Sequence, residues 1–167
     1  MKTTTKPHTA YLLLGSNMGD RLAHLKTAIE KIGQSIGTIH QKSRLYETQA
    51  WGITHQADFL NQAIAVETNL TPHQVLDKIL AIENAMGRVR GEKWTERSID
   101  IDILLYADFV VNEPHLTIPH PELPKRNFAL VPLMEIAGEE VHPILGETIE
   151  DIYFACTDPL DVFEFEA

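Results

Sequence analysis

Apolar residues along this chain recur with two periods, and the switches between them mark its elements. Ala10 to Leu14 is an apolar run that stops at Gly15-Ser16-Asn17, which predicts a buried strand ending in a turn. Leu22, Leu25, Ile29 and Ile32 then repeat at helical spacing behind Asp20, a good helix-capping residue, and Gly33 suits the helix end. Residues 39–48 read as a second, moderately polar strand. A third covers 59–67, with Phe59, Asn61, Ala63 and Ala65 on one face and Leu60, Gln62, Ile64 and Val66 on the other. Thr71-Pro72-His73-Gln74 marks a helix start: a threonine N-cap, proline at the first helical position and a glutamine that completes a capping box. Val75, Ile79, Ile82 and Met86 form that helix's apolar stripe, and Gly87 closes it. Alternation resumes from Arg97 to Tyr106. Residues 109–118 read as hairpin-like extended structure, Pro119 to Arg126 as a proline-stiffened loop, and 128–137 as a helix. The tail from Val141 carries weak signals.

The order is strand, helix, strand, strand, helix, strand, with accessory pieces after it. That is a ferredoxin-like α+β fold: an antiparallel sheet flanked by helices, here with an accessory hairpin and a C-terminal extension. A chain of 167 residues, 44% hydrophobic, builds one sizeable core, so 10–167 is read as a single domain and 1–9 as a flexible polar tail. No apolar run reaches the ~18 residues that span a bilayer, and Met1 to Thr9 lacks the apolar segment of a secretory signal. The single cysteine, Cys156, permits no internal disulfide. A cytoplasmic protein without a membrane partner is expected. The net charge of -10 argues against nucleic-acid binding, but it is unevenly spread. Residues 127–167 hold ten acids and no lysine or arginine, whereas the first 126 residues balance at fourteen basic and fourteen acidic side chains. The acidic stretch is expected to lie away from any anion site, chiefly as a solubilising surface.

Chemistry concentrates where alternation meets charge. In Arg97-Ser98-Ile99-Asp100-Ile101-Asp102-Ile103 the isoleucines line one face and both aspartates the other, their Cα atoms roughly 7 Å apart. Two such charges repel by about 2 kcal/mol at an effective dielectric near 20, and aspartate is already disfavoured in strands. A hard divalent cation removes the conflict. Magnesium is usually held by one or two carboxylates together with waters and substrate phosphates. The segment just before supplies Arg88, Arg90, Lys93 and Arg97 around Trp94, and cations beside a metal pair point to a phosphate ligand. There is no G-x-x-x-x-G-K-[ST] loop and no G-x-G-x-x-G fingerprint, so a nucleotide must be held by side chains and metal. The eight histidines form no recognisable zinc spacing. Phe59 and Asn61 on one strand face pair a stacking surface with an amide that reads a flat heterocycle, although Phe59 taken alone reads first as core packing. Gly15-Ser16-Asn17 alone reads equally as a strand-to-helix turn.

Leu14-Gly15-Ser16-Asn17, Phe59-Leu60-Asn61, Gly87-Arg88-Val89-Arg90, Arg97-x-x-Asp100-Ile101-Asp102-Ile103-Leu104 and Pro119-His120-Pro121 with Arg126 and Phe128 occur in this order. Together they resemble the 6-hydroxymethyl-7,8-dihydropterin pyrophosphokinase family of folate biosynthesis, over about residues 10–140. The resemblance implies a ferredoxin-like fold, ATP as co-substrate, two magnesium ions, and transfer of the β,γ-pyrophosphoryl group to the pterin hydroxymethyl oxygen with release of AMP. Carried onto matching positions, it makes Asp100 and Asp102 the magnesium ligands and Arg88 and Arg97 the catalytic phosphate contacts. Thr48, through its backbone, with Phe59, Asn61 and Phe128 would hold the pterin. Glu83, Ile103, His120 and Arg126 fall on the nucleotide side, with Arg90 and Trp94 in a closing loop over it. This chain departs from the family pattern at Ala50, where proline is common and Trp51 follows, and at Thr95, where glycine or alanine is favoured.

Two other readings compete. A nucleotidyltransferase shares a Gly-Ser and an Asp-x-Asp element, but normally about a dozen residues apart, whereas 84 positions separate Ser16 from Asp100. A ferredoxin-like sensor that binds a heterocycle without reacting leaves the arginines around the carboxylate pair without a use. The expected partners are small molecules, ATP and a hydroxymethyl pterin. A monomer is expected.

Overall fold

The computed structural model describes residues 6–48, 58–87 and 98–166. Along the chain these form β1 (His8–Ser16), α1 (Arg21–Ser35), β2 (Thr38–Lys42), β3 (Leu45–Thr48), β4 (Phe59–Thr68), α2 (Pro72–Ala85) and β5 (Asp100–Tyr106). There follow β6 (Val111–Glu113), β7 (Leu116–Ile118), α3 (Asn127–Ala137), α4 (Ile149–Ala155) and β8 (Val162–Phe165). The main sheet runs β5-β1-β4-β3-β8 with every neighbouring pair antiparallel, and β2 pairs with the far half of β4. Strands β6 and β7 make a separate hairpin.

Local chemistry explains the boundaries. The Asp20 carboxylate accepts the Ala23 N–H at 3.1 Å and caps α1. Thr71 and Gln74 form the full capping box, each side chain accepting the other's backbone N–H, at 3.2 and 2.9 Å. Three boundaries read from the sequence need correction. His8 and Thr9, read as part of a flexible tail, open β1 and pair with Thr68 and Glu67 of β4. Gly33 lies inside α1, which continues to Ser35; the chain then turns at Gly37, where a Cβ would sit only 2.0 Å from the Glu67 carbonyl oxygen. Close approach to β4, rather than the end of the helical period, is what requires a glycine there. The second strand is broken at Ser43 and Arg44. Ser43 pairs with Ala63 through its own N–H (2.8 Å) and through its hydroxyl, which accepts the Ala63 N–H at 3.0 Å. A side chain thus supplies the acceptor that a regular ladder would take from the backbone.

Both sheet faces are buried. Leu12, Leu14, Leu60, Ile64, Ile101 and Ile103 pack with Leu25, Ile32, Val75 and Ile79 of α1 and α2. Leu13, Ala63, Ala65, Leu104 and Leu105 pack on the other face with Leu130, Leu133 and Ile152 of α3 and α4. The register between β1 and β5 passes from Tyr11–Leu105 to Leu12–Ile103, so Leu104 is an extra residue. That bulge lets Leu104 and Leu105 both enter the α3 layer while Ile103 and Tyr106 both remain in the α1–α2 layer.

The weakly patterned tail is more than a solubilising surface. Ile149 and Ile152 of α4 are buried, and β8 extends the sheet on β3, at the edge opposite β5. Arg44 ties β8 down through Glu164 (2.7 Å), while Glu135 of α3 accepts from the Arg44 N–H at 3.1 Å and the Tyr46 hydroxyl at 2.6 Å. Burial, followed by the Glu135 carboxylate, pushes the Tyr46 phenol up to about 12. Among the described residues no helix is long and apolar enough to cross a membrane.

Candidate active site

Antiparallel register sets one transverse row at the end of the sheet: Asp100, Gly15, Asn61, Tyr46 and Glu164, from β5 across β1, β4 and β3 to β8. Asn61 is two positions from Ala63, and Gly15 two from Leu13, so this row opens on the α3 face of the sheet. Asp102 pairs with Leu13 one step further along the same face. Neighbouring strands lie about 4.8 Å apart, which puts the Asp100 and Asn61 backbones roughly 10 Å from each other. Asp100 and Asp102 are half-buried, whereas Asn61 and Thr48 are each only 3% exposed.

The carboxylate pair is held from behind by a third acid. Glu83 of α2 is 1% exposed, and its carboxylate accepts the Ile101 N–H at 2.9 Å, at the residue between the two aspartates. β5 is an edge strand, and Glu83 supplies part of the backbone pairing that a further strand would otherwise provide. Glu83→Ala strands a buried N–H and should cost about 1–3 kcal/mol. At about 2–4 °C per kcal/mol for a chain of this size, the expected loss in thermal midpoint is several degrees, readable by calorimetry.

Beyond that edge lies a cavity of about 260 Å³ lined by Ile79, Ile101, Asp102, Ile103, His115 and His120, among others. The β6–β7 hairpin forms its outer wall through Pro114, Leu116 and Thr117. Sequence reading does not reach these hairpin residues or Leu76, which also lines it. Three-residue strands are too short to show a period, and Leu76 sits off the stripe made by Val75, Ile79 and Ile82. His120 is fixed against the strand by its N–H, donated to the Leu104 carbonyl at 3.0 Å. Its Nδ1 accepts the Glu122 N–H at 3.1 Å, which leaves Nε2–H as the ring's donor. Burial, followed by the Arg126 guanidinium, holds this imidazole below its usual range, against smaller opposite effects from Glu122 and Asp100.

His142 is a second neutral ring, lowered by burial, whose Nδ1 accepts the Ile144 and Leu145 N–H groups at 3.2 and 3.1 Å. Both folded-state values lie below the 6.5 of a free histidine. The stability these rings contribute is complete above that pH and is lost as pH falls below it through the folded values. Thermal midpoints should therefore decline on acidification from neutrality, and less steeply in a His120→Gln/His142→Gln double variant.

On the opposite side of the carboxylates, Phe59 pairs in register with Thr48, and the Asn61 Nδ2 donates to the Thr48 hydroxyl at 3.1 Å. Phe128, near the start of α3, packs against the same layer, with the Arg126 guanidinium 5.5 Å from its ring centroid. Arg21 secures this side by pairing with Glu47, donating to the Asp58 carbonyl at 2.9 Å and lying 5.5 Å over the Phe165 ring. Thr48, Phe59, Asn61 and Phe128 thus share one layer, and Ile103 and His120 line the cavity. Glu83 stands behind the strand, outside that lining. Arg88, Arg90, Trp94 and Arg97, with Ala50, Trp51 and Thr95, lie outside the described residues. No group of three or more His, Cys, Asp or Glu able to hold a metal occurs among the described residues. Two oxygen donors suit magnesium, which completes its octahedron with water and phosphate, better than zinc or an all-protein calcium cage.

The family model described as 7,8-dihydro-6-hydroxymethylpterin-pyrophosphokinase (HPPK) matches residues 11–138. A 2-amino-4-hydroxy-6-hydroxymethyldihydropteridine pyrophosphokinase of Aquifex aeolicus is 43% identical over 143 residues, 86% of this chain and 89% of that one. Its namesake in Methylorubrum extorquens is 44% identical over 158 residues, 94% of this chain and 98% of that one. The crystal structure of wild-type Plasmodium falciparum HPPK-DHPS superposes with a TM-score of 0.76 at 20% identity, a likeness of fold. It covers 92% of this chain, which spans 45% of the longer Plasmodium one. By the family match and by these relatives, the chain belongs to the 7,8-dihydro-6-hydroxymethylpterin-pyrophosphokinase family.

Proposed function

We infer that the chain transfers the pyrophosphoryl group of ATP to the hydroxymethyl oxygen of 6-hydroxymethyl-7,8-dihydropterin, a step of folate biosynthesis, giving AMP and the pterin diphosphate. One observation carries this reading. The Asp100–Asp102 pair stands between two binding regions, the cavity at the β5 edge and the Phe59–Asn61 face two strands away. A transferred group passing from a donor in one to an acceptor in the other must cross the carboxylates.

In this reading the nucleotide base enters the cavity against Ile103, and the neutral His120 Nε2–H and Arg126 meet its phosphates. Phe59 and Phe128 stack on the two faces of the pterin, while Asn61 and the Thr48 backbone bind its edge. Asp100 and Asp102 hold two magnesium ions, the donor set fitting as described. Magnesium supplies neutralisation of the polyphosphate charge. The pterin hydroxymethyl oxygen bonds to the β-phosphorus and loses its proton; the bond from that phosphorus to the α,β-bridging oxygen breaks, and AMP leaves with the electron pair. Arg88 and Arg97 stabilise charge on the phosphates as this occurs. Alignment and electrostatics suffice for such a transfer, so no acid–base dyad is needed. Arg90 and Trp94 belong to a loop that closes over the nucleotide and limits hydrolysis by water. The order β5-β1-β4-β3 over a strand-helix-strand-strand-helix-strand core supports a ferredoxin-like unit; the chain acts as one domain, with His8 and Thr9 already part of β1, and as a monomer.

The test is the identity of the products formed from ATP, magnesium and 6-hydroxymethyl-7,8-dihydropterin. AMP with pterin diphosphate is expected. ADP indicates an ordinary kinase, and released pyrophosphate a nucleotidyltransferase; either result overturns the reading.

A further inference from the structure

Gly15 sits in the transverse row directly between Asp100 and Asn61, yet nothing in its backbone demands glycine. Among the described residues the glycines with positive φ are Gly19, Gly87 and Gly146, so Gly15 has a conformation open to any L-residue. In a strand interior glycine is normally a loss, because it packs nothing and orders more backbone. The reason for it here is space. A Cβ built on Gly15 would lie 2.8 Å from the Asn61 Oδ1 and 3.5 Å from the Phe59 Cδ1. The first distance is one that real Cβ atoms essentially never show. The Asn61 carboxamide therefore spans the sheet, with its nitrogen on the Thr48 hydroxyl of β3 and its oxygen resting over the bare backbone of β1.

We propose that Gly15 is a positioning residue for the heterocycle: its missing side chain is the seat of the Asn61 carboxamide and sets which way that amide faces the substrate. This rests on the pterin reading given above. With Nδ2 committed to Thr48, Oδ1 is the amide's acceptor and selects a ring N–H or exocyclic amine on the substrate edge. A methyl group at Gly15 must push that oxygen out of its seat. Asn61 is 3% exposed and its Nδ2 is held by the Thr48 hydroxyl, so an amide displaced from Gly15 shifts against that bond.

The test is a double-mutant cycle between Gly15→Ala and Asn61→Ala, read as KM and kcat for the hydroxymethyl pterin and as its equilibrium affinity. Gly15→Ala should raise the pterin KM and Kd at least about tenfold, the scale of one misplaced buried hydrogen bond, with the ATP KM changed by no more than about twofold. In the Asn61→Ala background the same substitution should have no further effect, because the group it displaces is gone. An equal penalty in both backgrounds would mean that Gly15 meets the substrate or the fold directly, and would overturn the proposal. So would an unchanged pterin KM in Gly15→Ala alone. Should Gly15→Ala not fold, the comparison of Asn61→Ala with the double variant decides: a folded double variant with the single variant's pterin affinity supports the seat, and an unfolded one refutes it. Failure of the unaltered enzyme to use the pterin at all is a separate result, which strikes the functional reading and not the Asn61–Gly15 relation.

Discussion

Asp102→Ala and Asp100→Ala are expected to lower magnesium-dependent kcat by on the order of 1,000-fold or more while the protein stays folded. The magnitude follows from the charge involved: metal neutralisation of a transferring phosphoryl group is worth several kcal/mol, and each 1.36 kcal/mol is a factor of ten in rate. The sparing of the fold follows from position. Both side chains are half-buried at one end of the sheet, outside both apolar layers. The bulk of β5's burial comes from Ile101, Ile103, Leu104 and Leu105, which neither variant touches. Thermal midpoints within about 4 °C of the unaltered protein, together with collapsed turnover, are the expected pair of results. Near-normal rates in either variant would refute the metal assignment.

Arg97→Ala should lower kcat on the order of 100-fold, the cost of losing one preorganised charge-stabilising donor. What matters is how the loss divides. An arginine that acts on charge developing at the bond to the α-phosphate lowers kcat and kcat/KM together, because the lost interaction belongs to the transition state. An unchanged kcat with a raised KM for ATP would mean that Arg97 merely binds the ground state. Arg97→Lys should recover only part of the loss, since an ammonium keeps the charge but lacks the planar two-pronged donor set.

Much of the fold was legible because the residues obey one period at a time. Thr71-Pro72-His73-Gln74 announces α2 through local hydrogen bonding alone, and the alternation around Asp100 and Asp102 places both on one face without any tertiary information. What the sequence hides is non-local. Leu104 reads as an ordinary strand residue, and only pairing with β1 reveals it as the extra residue of a bulge. The resemblance puts Glu83 on the nucleotide side, but helical spacing does not show that it is buried against the Ile101 N–H. Gly37 needs the Glu67 carbonyl as a neighbour before its role appears. β8 has four residues and gains its stability from β3 and from Arg44, so no window along the tail contains its cause. The site divides the same way: the carboxylate pair and Phe59–Asn61 stand out by residue type, while the hairpin wall of the cavity and the close approach of Asn61 to Gly15 exist only as spatial relations.

Whether the two aspartates hold the cations that grip the triphosphate is decided by a crystal structure of the protein with magnesium and an ATP analogue whose α,β-bridging oxygen is replaced by methylene. Cations are expected on the Asp100 and Asp102 carboxylates, in contact with phosphate oxygens as well, with the base in the cavity at Ile103 and His120. A triphosphate bound elsewhere, with both carboxylates turned to water and carrying no cation, would contradict the metal assignment.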